Sequence, residues 1–183
     1  MTLRCLLCAL ILAAGLPAQT APAGVAPEWD VRKTLTAIAE QTTKLEPILN
    51  QMRPKDWVTG GAPETYVEQW QSAKTQNQSV AQAARNLMQK PDQITPLLQL
   101  VFRIQSFDSE LRSLEEGLRK YQNPSLADLT ISVSAEGAAP RNRLQQYAME
   151  LVSEREQQFA VADREAQRCR ESISKSPRTT RQP

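Results

Sequence analysis

Val31, Leu35, Ile38, Thr42, Leu45, Leu49 and Met52 follow one another at strictly alternating steps of four and three residues. Such spacing returns side chains to one face of a helix, and the resulting stripe must be covered by other helices. Tyr66, Trp70, Ala73, Asn77, Val80, Ala84 and Leu87 repeat the rule. Leu97, Val101, Ile104, Phe107, Leu111, Leu114, Leu118 and Tyr121 keep it except for one shortened step at Phe107, a local overwinding. A fourth stripe runs through Leu144, Ala148, Val152, Arg155, Phe159, Ala162, Ala166, Cys169 and Ile173. The pattern predicts an all-α fold, an antiparallel up-down-up-down four-helix bundle over residues 28–173. Its helices would each be about 40–50 Å long. Pro47 is expected to kink the first helix, and Gly60 to Glu64 to open the second.

Composition removes several function classes. The 183 residues carry 22 basic and 20 acidic side chains and no histidine. Imidazole chemistry and His ligation of zinc or haem are therefore excluded, and no cofactor is called for. Charge this balanced, without a basic block in the body of the chain, argues against a nucleic-acid partner. No phosphate-cradling glycine motif occurs. Ser172-Ile-Ser-Lys175 matches S-x-x-K at the end of a helix, without the motifs that accompany it in enzymes, and Glu115 and Glu116 diverge on one helix. The expectation is that the chain is not an enzyme.

The termini say where it works. Arg4 precedes an apolar run from Cys5 to Leu16, followed by Pro17-Ala18. This reads as a secretory signal peptide over residues 1–18, cut after Ala18 and too short to span a bilayer. Cleavage leaves no stable membrane span and removes Cys5 and Cys8. Cys169 then remains without a disulfide partner and, on its stripe, is expected to be a buried inert thiol. Residues 19–27 read as a flexible linker and 174–183 as a disordered basic tail. An exported chain without disulfides, richer in Arg than Lys, points to a periplasmic or secreted protein.

Three places stand out as candidate sites. The first is a mid-bundle polar layer. Turn positions place Thr42 opposite Asn77, Asn77 near Gln105, and Gln105 near Arg155, with Asp108 one turn away. Such a layer fixes helix register; alternatively it binds a small polar ligand, with Arg155 pairing an anion. The second is the stretch from Pro54 to Trp70. Here Trp57, Tyr66 and Trp70 form either a plug for the bundle end or an aromatic anchor for a partner, with Asp56 on its rim. The third is the long connection from Asn123 to Pro140. Asn123-Pro124-Ser125 reads as a helix start for one or two turns, Leu126 to Leu129; Leu129, Ile131 and Val133 then alternate as in an extended strand, packed in a groove or open to a partner strand.

Together these features predict an exported protein-interaction module whose partner is another envelope or secreted protein. Contact would run through Trp57 and Tyr66 or through Ile131 and Val133. A sensor or carrier using the polar layer is the second expectation, and a holder of unfolded envelope proteins the third. Oligomeric state is not set by the sequence.

Overall fold

The computed structural model describes residues 27–175, and the segments read as signal peptide, linker and basic tail fall mostly outside that range. Among the described residues there are six helices and no strand: α1 (Glu28–Gln51), α2 (Pro54–Thr59), α3 (Thr65–Leu87), α4 (Ile94–Tyr121), α5 (Pro124–Glu136) and α6 (Ala138–Lys175). The four long helices carry the four apolar stripes, so the chain is an all-helical bundle. α1 runs through Pro47 without interruption, although that residue offers no N–H to the carbonyl one turn back.

Cross-helix hydrogen bonds give the pairing. Asn77 Nδ2 donates to the Thr42 carbonyl at 2.9 Å and Trp70 Nε1 to the Leu49 carbonyl at 2.7 Å. Moving forward along α1 thus moves backward along α3, as in antiparallel neighbours. On the α3–α4 seam Ser113 Oγ meets Gln69 at 2.9 Å, Ser72 Oγ meets Glu110 at 2.9 Å, and Arg103 donates to Ser79. This ladder keeps one register for most of the seam, again antiparallel.

The fourth side of the bundle differs from expectation. Two helices fill it in relay, α5 against the far ends of α1 and α4 and the first half of α6 against their near ends. The extended segment expected at Leu129–Val133 is instead part of α5. The Asn123 side chain accepts from the Ser125 N–H at 2.9 Å to cap the helix, Pro124 occupies the first turn, and Gly137 ends it. Leu126, Ala127 and Thr130 are buried at helical spacing. That burial outweighs the few tenths of a kcal/mol per residue by which β-branched Thr130, Ile131 and Val133 disfavour helix.

The core falls into two clusters. One gathers Leu35, Leu97, Leu100, Leu144 and Leu151 between α1, α3, α4 and α6. The other gathers Leu45, Leu49, Trp57, Leu111, Leu114 and Ala127 between α1 to α5. Buried Thr42 and Asn77 lie at the level between them, where α5 hands over to α6. Gly137 makes that handover possible, since a Cβ there would stand 2.9 Å from Gln41 Cγ and 2.6 Å from Arg141 Nη1.

Because α5 occupies half of the fourth side, α6 outruns the bundle. Leu144, Tyr147, Ala148 and Leu151 are buried, whereas every residue from Ser153 to Ser174 is exposed. About 35 Å of helix projects past the end formed by the start of α1 and the α3–α4 turn. The bundle expected to end at residue 173 ends near Val152.

Candidate functional site

The Trp57 end is closed. Trp57 is 1% exposed, so it is not an accessible anchor for a partner. Its Nε1–H donates to Gln122 Oε1 at 2.9 Å, and its ring meets Tyr66 edge-on at 5.6 Å. Gln122 Oε1 also accepts from the Arg53 N–H at 2.9 Å, and Gln122 Nε2 donates to the Gln51 carbonyl at 3.0 Å. One side chain thereby ties together the ends of α1, α2 and α4. Gly117 permits the fit, because a Cβ there would lie 2.8 Å from Trp57 Cζ3 and 2.9 Å from Tyr66 Cε1. Tyr66 and Trp70 are half-buried, with Lys74 Nζ 4.8 Å above the Trp70 ring, and Asp56 is exposed beside them. The end is held together by aromatic packing and satisfied polar groups.

The polar layer forms in part. Thr42 and Asn77 are brought together, but Asn77 Oδ1 stays buried with no hydrogen-bond partner among the described residues. Asp108 faces Arg141, whose Nε lies 3.3 Å from Asp108 Oδ2 and whose Nη2 donates to the Ser134 carbonyl at 2.9 Å. Burial pushes the Asp108 carboxyl above its ordinary range, while Arg141 and Arg112 pull it back. Burial likewise raises the Glu115 carboxyl one to two turns along α4. The space beside Thr42 and Asp108 is about 20 Å³, room for one water and not for an organic ligand.

Gln105 and Arg155 do not meet the layer as expected. Gln105 is exposed and lines an open groove with Asn142 and Gln145. Arg155 lies beyond the bundle, exposed, with Nη2 3.6 Å from Asp92 Oδ2. For Arg155 the cause is α5. Thirteen residues counted as a crossover are a packed helix, which slides α6 along α4 by about ten residues. The anion-pairing role assigned to Arg155 therefore has no geometry to support it.

α5 keeps Ile131 and Leu129 partly exposed on its outer side, next to the Arg112–Lys120 face of α4. Val133 packs against the core, and its carbonyl accepts from Gln41 Nε2. With its backbone bonds satisfied inside a helix, this segment offers no free strand edge.

The overhang of α6 is what sequence reasoning misassigned. Phe159 is 76% and Ile173 69% exposed, and Cys169 is exposed rather than buried. The heptad stripe continues from Ala148 to Ile173 without a break, but beyond Val152 no part of the bundle covers it. Polar residues flank it, with side-chain bonds to neighbours one turn away, such as Gln158 to Glu154 at 3.1 Å, and one ion pair back to the bundle, Arg155 to Asp92. The signal available in the sequence was composition. After Leu151 the stripe has no leucine and runs through Val152, Arg155, Phe159, two alanines, Cys169 and Ile173.

Among the described residues no group of three or more Cys, Asp or Glu side chains is placed to hold a metal ion, and no helix is long and apolar enough to cross a membrane. Comparison with protein-family models, curated proteins and solved structures finds no match to this chain.

Proposed function

We propose that the protein is an exported, non-enzymatic interaction module, released by cleavage after Ala18 into the periplasm or the medium. Its bundle is a stable base and the α6 overhang its contact element. The observation that carries this reading is the exposure of a continuous heptad seam from Ser153 to Ser174. A seam of that period is matched by another helix, which buries the apolar stripe and leaves the charged flanks in water. The partner is a helix-bearing envelope or secreted protein. Trp57 is buried and the α5 backbone is already paired, so neither an indole anchor nor strand addition supplies the contact.

The test is photo-crosslinking in the cell from position 159, with position 57 as the control. A discrete adduct from 159 and none from 57 supports the reading. Adducts from neither position, or from 57 alone, overturn it. A ladder of many client proteins from 159 replaces it with a holding role for unfolded envelope proteins.

A further inference from the structure

Resting on that reading, we infer that the helix matching the overhang is α6 of a second copy of this chain, packed antiparallel. The orientation follows from where the seam points. Leu144, Ala148 and Leu151 lie against the bundle, and the same side of the helix carries Phe159, Ala162, Ala166, Cys169 and Ile173 past its end. A partner helix on this side lies in line with the bundle. A parallel α6 would have to run its own first half through the space that α1 and α4 fill. An antiparallel α6 brings only its free end toward that space and carries its bundle to the far end of a rod. Both overhangs have the same length, so the pairing is symmetric; in the register that charge selects they overlap from about residue 160 to 175, with Phe159 at the edge of the contact.

Charge then selects the register. Phe159, Ala166 and Ile173 form one core position of the heptad, and Ala162 and Cys169 the other; Asp163 and Arg170 share one flank and Glu165 and Ser172 the opposite one. Set Ala166 against the partner's Cys169, and Ala162 falls against the partner's Ile173, small against large. In that register Asp163 meets the partner's Arg170, and by symmetry Arg170 meets the partner's Asp163. Glu165 meets the partner's Ser172. Slide the pair by one heptad toward the bundles, and Asp163 meets the partner's Asp163 while Glu165 meets the partner's Glu165. One further heptad sets Glu156 against the partner's Asp163. Only the first of these registers pairs opposite charges at the flank without opposing like ones. The alanines allow the two backbones to approach closely there.

The experiment is sedimentation equilibrium on the mature full-length protein over micromolar to millimolar concentrations, with charge variants of the overhang. The expected result is a reversible dimer. D163R alone and R170D alone each weaken it about tenfold, and the two together in one chain restore it. These positions are exposed in the monomer, so the variants leave the bundle fold intact. A monomer throughout the range overturns the inference. So does a dimer indifferent to D163R, or one restored instead by E165R with R170E, the pairing of a parallel arrangement. A monomer that still yields one discrete foreign adduct from position 159 in the cell removes the second copy but leaves the interaction module standing. A monomer without any adduct removes both.

Discussion

The two halves of α6 share one stripe and have opposite environments. Up to Val152 the stripe is built on Leu144, Ala148 and Leu151 and is buried; from Ser153 onward it is carried by Phe159, alanines, Cys169 and Ile173 and is open to solvent. A heptad period therefore identifies a seam but not what fills it. In the first half the core leucines fill it from α1 and α4, which both end at this level. In the second half nothing in the described chain reaches that far. Side-chain size separates the two cases better than period does. Leucines mark the intramolecular half, and an alanine-rich run with isolated Phe159 and Ile173 marks the half that the bundle leaves uncovered.

Several substitutions sharpen or break this contrast. The largest effect is expected at the sealed end. Trp57→Ala removes the ring packed on Gly117 and Tyr66 and leaves Gln122 short of a donor, and it should lower unfolding free energy by about 3–5 kcal/mol in urea titration. Leu144→Ala, in the buried half of α6, should cost about 2–5 kcal/mol by the same measurement.

Arg141→Gln comes next, at about 1–3 kcal/mol at neutral pH, because a half-buried Asp108 carboxylate then loses its counter-charge. Arg141 lowers the Asp108 pKa, so its removal raises a value that burial has already raised. The loss should shrink as pH falls through the Asp108 titration, where the carboxyl becomes neutral and the missing cation no longer matters. A loss that grows on acidification would contradict the assignment. The smallest effect is Phe159→Ala, within about 0.5 kcal/mol for the dilute monomer. Equal losses for Leu144→Ala and Phe159→Ala would mean that the overhang is covered in solution even when dilute.

Where connections are short, the sequence was a reliable guide to register. Only a few residues around Lys90 and Pro91 join α3 to α4, so counting back from the turn locates their partners, and the Gln69–Ser113 and Ser72–Glu110 pairs fall where counting puts them. Thr42 and Asn77 were legible for the same reason. The fourth side was not, because Leu129-Thr130-Ile131-Ser132-Val133 alternates like a strand, while its cap at Asn123 and its buried face at Leu126, Ala127 and Thr130 impose a helix. That single misreading moved α6 along the bundle and with it Arg155 and Cys169, while Gln105 misses the layer because it lies on the solvent side of α4. Gln122 carried no signal at all. A glutamine just past a helix end is common, and only the folded chain brings Trp57, Arg53 and Gln51 around it.

All three tryptophans, at positions 29, 57 and 70, precede α4, and none lies on the overhang. With Trp29 replaced by Phe, indole fluorescence comes from Trp57 and Trp70 and thus reports on the bundle and not on residues 153–175. Far-ultraviolet ellipticity weighs peptide groups in both regions alike. A solitary helix without tertiary contacts melts gradually over a broad temperature range, whereas the bundle unfolds in one cooperative step. On heating the dilute monomer, ellipticity should begin to decline while emission is still flat. The gap between the two curves measures the length of helix that the bundle does not hold.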